Sequence, residues 1–209
     1  MNKLSNPNFI IWQDGTLLFS NEVPFCFMNE NLIIAAIFIL IIINVTFLLI
    51  YFYPNLKNVL LISLFFKISL ILLAYIYNYS LPESGGDAYR FNLLACKLGR
   101  MSVSDILMNL YTINSYFISF VFSFFYHFFG ESILMLQCIG ILCSIFIILF
   151  SYIIAKDLWG VSTSLNLSIY FALAPSIILY SLVTSREIYA IFFVMLALLL
   201  STKYIYNKK

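Results

Sequence analysis

Five long apolar runs dominate the sequence, and they constrain its fold more than any other feature. An α-helix needs about 20 apolar residues to cross about 30 Å of hydrocarbon, because each residue advances the helix by about 1.5 Å. Of the 209 residues 63% are hydrophobic and 10% are charged, which is too little charge to cover a soluble domain. The sequence therefore predicts an all-α polytopic membrane protein with spanning helices over 33–53, 59–79, 133–155, 163–183 and 188–203.

Segment 114–129, NSYFISFVFSFFYHFF, decides how many times the chain crosses the membrane. It is short for a span, and polar residues recur in it every four residues, which places them on one face of a helix: Ser115, Ser119, Ser123 and His127. This pattern suits a helix lying in the membrane interface, and it equally suits a short span whose serines let a neighbouring helix approach closely. The first interpretation gives five spans and the second six. Taken alone, the positive-inside rule favours six.

The apolar runs divide the chain into four parts. A polar leader covers 1–32, two transmembrane helices cover 33–79, a loop covers 80–132, and three transmembrane helices with a short basic tail cover 133–209. The short linkers within these parts are YPNLKN (53–58), KDLWG (156–160) and TSRE (184–187). Five spans and six spans give the same prediction for three segments: KDLWG and the tail are cytoplasmic, and TSRE is non-cytoplasmic.

The strongest cluster of charged residues in the loop consists of Glu83, Asp87 and Arg90 around the adjacent glycines of SGGDAYRF. The glycines let the chain turn sharply. A helix that starts near this turn would carry Asp87 in its first turn, where the helix dipole favours an acid, with Arg90 on the same face. The pattern fits an ion-paired helix start, and it also fits a functional site.

A second cluster, Ser185-Arg186-Glu187, joins the last two apolar runs. An arginine at a non-cytoplasmic helix end suits a phosphate or pyrophosphate headgroup, because its planar guanidinium makes two hydrogen bonds at once. The alternative is an arginine that reaches ordinary lipid phosphates. Glu187 either holds the guanidinium in place or neutralises it.

Other polar groups carry weaker predictions. We expect Lys67 to reach the cytoplasmic interface along its helix, with pairing to a lipid phosphate or a buried acid as the alternative. His127 fits a polar stripe better than a catalytic base, and Cys138 and Cys143 are expected to pack in an apolar run. The cysteines show no metal-ligand spacing, and a net charge of +2 without a basic run argues against nucleic acid as a partner.

Several motifs follow one another in a recognisable order: GGDAYRFNLLA, FFGES, IIAKDLWG and LAPSIILYSLVTSREIYAIFFVMLALLLSTKY. This order resembles the N-terminal half of bacterial GT-C-type membrane glycosyltransferases, the group related to protein O-mannosyltransferases and lipid A aminoarabinose transferases. The resemblance covers about 59–204. It implies five spans, with interfacial helices in a non-cytoplasmic loop over 80–132, and we follow it against the charge count.

The resemblance also implies a chemistry. The sugar donor is a polyprenyl-phosphate-linked sugar used in cell-envelope glycan assembly at the bacterial inner (plasma) membrane. Asp87 matches the family's loop acid, with Glu83 as its substitute, and this acid would act as the general base on the acceptor. Arg186 would stabilise the leaving phosphate, with Arg90 and Glu187 beside it. Some relatives hold a divalent metal at the acidic loop, so a metal is a candidate cofactor without an identified ligand set.

The family's enzymes are longer than this chain, so the resemblance leaves other functions open. The chain is expected to be a GT-C-like glycosyltransferase or a truncated relative of one. The alternative is a non-catalytic subunit or remnant whose missing helices come from a partner. An oligosaccharide polymerase and a small transporter are further alternatives.

Overall fold

A computed structural model describes residues 12–13, 16–17, 31–77, 87–109 and 117–206. Strands β1 (Trp12–Gln13) and β2 (Thr16–Leu17) pair antiparallel, and the other elements of these residues are helices. The helices are α1 (Leu32–Phe52), a 3-10 turn (Pro54–Leu56), α2 (Lys57–Ile76), α3 (Asp87–Gly99), α4 (Val103–Asn109), α5 (Phe117–Phe129), α6 (Ile133–Trp159), α7 (Val161–Leu173), α8 (Pro175–Leu182) and α9 (Glu187–Tyr206).

Four of the described stretches are single helices that are long and apolar enough to cross a membrane: Leu32–Phe52, Pro54–Ile76, Ile133–Trp159 and Glu187–Ile205. The consecutive helices α7 and α8 form a fifth candidate span if they cross as one bent unit. By length and composition, the described residues thus contain four to five helices that could span a membrane, which indicates a predominantly helical membrane protein. The sequence-based prediction of apolar spanning helices is confirmed at this level.

The predicted fourth span, 163–183, consists of two helices that meet at a bend. Helix α7 ends at Leu173, α8 begins at Pro175, and the two axes differ by 51°. Proline has no backbone N–H, and its ring pushes the preceding residue out of the helical region. Ala174 accordingly adopts φ −58° and ψ 119°. The break follows from this one proline.

The predicted linkers are shorter in the structure. Helix α6 continues through most of KDLWG to Trp159, so Gly160, with φ +89°, is the residue that separates α6 from α7. Glu187 begins α9 instead of ending a linker. The 3-10 turn continues directly into α2 at Lys57. In each case polar residues that flank an apolar run belong to its helix.

Helix α6 forms the centre of the bundle. In the most apolar stretch of α6, 67% is buried inside the protein. The corresponding stretches of α1 and α9 are each 17% buried. The buried residues of α6, such as Ile141, Ile145 and Ile148, belong to the main hydrophobic core, to which α1, α2, α7 and α8 also contribute. In a membrane, the outer faces of α1 and α9 would meet lipid.

Two side-chain contacts identify one end of the bundle. Lys203 Nζ lies 2.9 Å from Asp157 Oδ2, and Asn55 Nδ2 donates to Tyr152 Oη at 3.4 Å. These contacts bring together the α1–α2 turn and the last turns of α6 and α9. We call this the tail end. The opposite end, where α1, α6 and α9 begin at Leu32, Ile133 and Glu187, is called the loop end.

Helix α5 stays at the loop end and does not cross the bundle. Ile118 and Phe122, on its first turns, pack in the same cluster as Met135 and Ile139, which lie in about the first two turns of α6. Its 13 residues would span about 20 Å, short of the hydrocarbon thickness. Its length and position argue against α5 as a sixth span.

The polar stripe of α5 is an internal packing surface. Ser119 and Ser123 are fully buried, whereas His127 is exposed and its Nδ1 lies 3.2 Å from the Gly99 carbonyl oxygen. A methyl group at Gly99 would lie 3.2 Å from the Ser123 carbonyl oxygen, so α3 and α5 are in close contact there. Ser115 lies outside the described residues.

A bidentate ion pair ties the end of α3 to the link between α5 and α6. Arg100 Nε and Nη2 donate to Glu131 Oε1 and Oε2 at 2.6 and 3.0 Å. This hydrogen bonding raises the pKa of Arg100 above its ordinary value. Parallel hydrogen bonds of this kind add geometric specificity. They help hold α3 and α5 as one packed unit over the loop end.

Candidate functional site

An open cavity of about 80 Å³ lies at the loop end, between α3, the start of α6 and the turn from α8 to α9. Its lining combines apolar groups with amide, hydroxyl and phenol groups: Ala88, Tyr89, Asn92, Ile133, Gln137, Val183 and Thr184. Binding sites are usually concave and mainly apolar, with a few converging polar groups. We refer to it as the loop-end cavity.

The helix that begins at Asp87 and the turn that precedes Arg186 meet beside this cavity. Thr184 Oγ1 donates a hydrogen bond to the Ala88 carbonyl oxygen at 3.5 Å. Ala88 directly follows Asp87, and Thr184 directly precedes Ser185-Arg186-Glu187. The two bonded residues, which are 96 positions apart in the sequence, therefore border one site.

The positions of the individual site residues follow from these helices. Helix α3 begins at Asp87, as the glycine turn predicted, although the Asp87 side chain and all of Glu83 lie outside the described residues. Arg90 is exposed on the first turn of α3. The predicted ion pair between Asp87 and Arg90 thus stays a prediction.

Arg186 and Glu187 form an exposed ion pair at the start of α9. Arg186 Nε lies 3.4 Å from Glu187 Oε1, and the two side chains are 59% and 40% exposed. A pair this exposed contributes about 1 kcal/mol or less to stability. Glu187 is thus placed to hold the guanidinium, while most of the guanidinium remains accessible to a ligand.

Asn92 is the cavity residue with the most unusual environment. It is 2% exposed, and its Oδ1 accepts a hydrogen bond from Tyr126 Oη. Its Nδ2 is buried and has no hydrogen-bond partner in the described part of the chain. Leaving a buried donor unpaired costs about 1–3 kcal/mol. A residue that lines the cavity therefore carries a buried, unpaired hydrogen-bond donor.

Two further hydroxyl groups near this wall are also buried without a described partner, those of Ser185 and Tyr189. Ser185 directly follows the cavity residue Thr184, and Tyr189 packs in the same cluster as Tyr126. Buried polar groups are satisfied in the great majority of cases. With Asn92, three buried polar groups without a described partner therefore lie at the loop end.

Sequence analysis did not identify Asn92, Gln137 or Thr184, because it ranked charged residues first. Asn92 does lie within the motif GGDAYRFNLLA, one helical turn after Ala88. Residues four apart share a helix face, so Asn92 could have been assigned to the face that carries Ala88. Gln137 and Thr184 carry no such local signal, since only the packing of α6 against the α8–α9 turn makes them neighbours.

The predicted behaviour of Lys67 was wrong. Its side chain is fully buried, about 15 Å along α2 from Lys57, and Nζ donates to Ser144 Oγ of α6 at 2.9 Å. The packing of α2 against α6 encloses the side chain before it can extend to the membrane surface. No salt bridge to Lys67 forms among the described residues, so the buried-acid alternative gains no support.

The cysteines separate into two kinds. Cys138 and Cys143 carry free thiols and pack within α6, as predicted. Cys96, buried in α3, is disulfide-bonded, which the sequence analysis did not anticipate. Disulfides form and persist in oxidising compartments and are rare in the cytosol. The bond at Cys96 therefore favours a non-cytoplasmic location for α3.

The structure provides no support for a metal in the residues it describes, where no group of three or more His, Cys, Asp or Glu side chains could hold an ion. The described groups at the loop end include the exposed Arg186–Glu187 pair, the exposed Arg90 and the neutral hydrogen-bonding groups of the cavity. Comparison with protein-family models, curated protein sequences and solved structures gives no match to this chain.

Proposed function

We propose that the chain is a GT-C-like membrane glycosyltransferase that uses a polyprenyl-phosphate-linked sugar donor in cell-envelope glycan assembly. The hydrogen bond between Thr184 and Ala88 carries this proposal, because it joins the segment of the candidate base to the segment of the candidate phosphate ligand. Such a reaction needs both groups within reach of one sugar.

Each residue has a defined task in the proposed reaction. Asp87 takes the proton from the acceptor as the acceptor attacks the anomeric carbon, with Glu83 as the substitute base. The bond from that carbon to the donor phosphate breaks, and the phosphate gains negative charge. Arg186 stabilises this charge with a planar pair of N–H donors. Glu187 orients Arg186, and Arg90 adds positive charge at the loop end of the bundle.

The proposed location is the non-cytoplasmic side of a bacterial inner membrane. The disulfide at Cys96 supports this side, because α3 begins with Asp87 and also carries that cysteine. A polyprenyl-phosphate donor presents its sugar at the membrane surface, where the loop end of the bundle would lie.

The cavity volume favours a second candidate function, a non-catalytic subunit that completes a larger enzyme. Small-molecule pockets usually measure about 300–1,000 Å³. The loop-end cavity measures about 80 Å³, so it accepts part of a sugar and leaves the rest at its open mouth. In this second case, helices of a partner subunit would cover the mouth.

Replacement of Arg186 by Gln tests lipid recognition directly. We expect the Arg186→Gln protein to bind polyprenyl phosphate at least tenfold more weakly than the wild type, since a charged bidentate contact is lost. Native mass spectrometry of the purified protein with polyprenyl phosphate and with an uncharged polyprenol measures the binding. Lys57→Gln is the matched control, because it removes an exposed cation at the tail end.

The control should bind polyprenyl phosphate like the wild type. Equal binding by the Arg186→Gln protein would remove the phosphate-binding role from Arg186. Equal binding of polyprenyl phosphate and uncharged polyprenol by the wild type would show that the chain recognises only the hydrocarbon.

A further inference from the structure

We infer that an outward-facing apolar stripe anchors α5 in the bilayer, and that the partner of this stripe is the acyl chains of the leaflet at the loop end. The stripe consists of Phe117, Val121, Phe124 and Phe128, and we call it the outer stripe. This contact concerns how the loop end sits in the membrane, so it is independent of the proposed reaction.

The outer stripe lies on one face of α5. Its residues follow one another at intervals of four, three and four positions, which brings their side chains to the same side of a helix. Phe117 is 58% exposed and Phe128 is 68% exposed, and Val121 and Phe124 between them are partly exposed. Helix α5 thus presents apolar, mostly aromatic side chains to its surroundings from its first turn to its last.

The polar side of α5 is turned into the protein. Ser119 and Ser123 are fully buried, and α3 approaches the Ser123 carbonyl oxygen at Gly99. With about 3.6 residues per turn, Ser119 lies opposite the outer stripe. A helix on the surface of a soluble protein does the reverse, since it buries its apolar face and exposes its polar one. The orientation of α5 therefore suits surroundings that are themselves apolar.

Helix α5 lies at the depth of the first turns of the spanning helices. Phe129 packs edge-on against Phe38, with the ring centroids 5.4 Å apart. Phe38 lies six residues after Leu32, which is about 9 Å along α1. The ring of Phe122 contacts Tyr189, near the start of α9, at a centroid distance of 5.6 Å. The helix is therefore beside the spanning helices and not above them.

The outer face of α1 identifies the occupant of the outer stripe as lipid. Ile33 and Ile37, at the start of α1, are exposed on this face of an apolar spanning helix. Gly130, directly after α5, lies against the same turn of α1, since a Cβ atom there would be 3.5 Å from Ile34 Cδ1. Large exposed apolar surfaces mark sites of contact with a membrane or a partner protein. Because the surface continues from a spanning helix onto α5, acyl chains cover both.

This anchor determines the position of α3. Helix α3 packs on the serine side of α5, which faces away from the outer stripe. It also begins at Asp87, beside the loop-end cavity. Helix α5 would therefore separate α3 from the acyl chains and hold the cavity at the boundary between lipid and water.

Tryptophan fluorescence of the full chain in lipid nanodiscs tests the inference. Trp12→Phe and Trp159→Phe remove the two native tryptophans. Phe128→Trp or Phe117→Trp then places a single tryptophan at one end of the outer stripe. The nanodiscs contain phosphatidylcholine with or without bromine on its acyl chains, and iodide serves as the quencher in water. We expect brominated lipid to quench both proteins and iodide to leave both unquenched.

Leu40→Trp in the same background is the matched control, because Leu40 is exposed on the outer face of α1. It measures the quenching of a residue that faces lipid, and Phe128→Trp and Phe117→Trp should lose a comparable share of their fluorescence. Thermal unfolding of each protein shows whether it is folded in the nanodiscs.

Two results, in either folded stripe variant, would overturn the inference. Quenching by iodide and not by brominated lipid would place the outer stripe in water. Protection from both quenchers would place it in a protein contact, such as one with a second copy of the chain. The outcome is separate from that of the polyprenyl-phosphate experiment, since Phe117 and Phe128 take no part in the proposed reaction.

Discussion

Replacing Asp87 by Asn is expected to lower sugar transfer from a polyprenyl-phosphate donor by about two to four orders of magnitude, the usual contribution of a general base. The amide keeps the size of the side chain but cannot take the acceptor proton. Donor binding should persist, since Arg186 provides the phosphate contact. The measurement is the transfer rate of the purified chain in liposomes, with a panel of polyprenyl-phosphate sugars as donors.

Two comparisons make this experiment specific. Glu83→Gln tests the substitute base and is expected to reduce transfer less than Asp87→Asn. Asp157→Asn removes an acid at the tail end, where it pairs with Lys203, and should leave transfer near the wild-type rate. Wild-type transfer in the Asp87→Asn protein would exclude Asp87 as the base. Donor binding without any transfer in the wild type would favour the subunit function.

The largest expected effect on stability comes from Gly140→Val in α6. A Cβ atom at Gly140 would lie 2.7 Å from the Ser181 carbonyl oxygen in α8, closer than real Cβ contacts allow. The clash is with backbone, which cannot rotate away as a side chain would. Overpacking of this kind costs about 1–3 kcal/mol, and occasionally more. Because α6 is the centre of the bundle, the clash should weaken the whole fold.

Thermal unfolding in detergent, followed by intrinsic fluorescence, measures this effect. For a soluble domain of this size, each kcal/mol shifts the Tm by about 2–4 °C, so a decrease of several degrees is expected. Ala197→Val is the matched control, because it adds side-chain volume at an exposed position of α9. A wild-type Tm in the Gly140→Val protein would contradict the close packing of α6 against α8.

The spanning helices could be predicted because the membrane imposes a simple length requirement on apolar runs. The ends of the helices were less accessible to sequence reasoning. Pro175 divides the fourth run, and the polar residues of KDLWG continue α6 to Trp159. Composition does not distinguish a polar linker from the polar last turn of a helix, and an apolar run conceals a proline break.

The candidate site, like the helices, could be predicted only in part. The glycine turn before Asp87 predicted where α3 begins, and both charged clusters were visible as exceptions in an apolar chain. The contact between Ala88 and Thr184 was not predictable, because it depends on how α3 packs against the α8–α9 turn. Lys67 shows the same limit, since its contact with Ser144 arises only when α2 meets α6. Local patterns identified candidate groups, and tertiary packing determined their partners.

The most direct test of the account is the side of the membrane that the loop end faces. Met108 on α4 is 67% exposed, and Trp159 at the tail end is 64% exposed. Each is replaced by Cys in a chain with Cys138→Ser and Cys143→Ser, and intact cells receive a membrane-impermeant maleimide. The account predicts labelling of Met108→Cys in intact cells and of Trp159→Cys only after permeabilisation. The reverse pattern would place the loop end in the cytoplasm and contradict the proposed function.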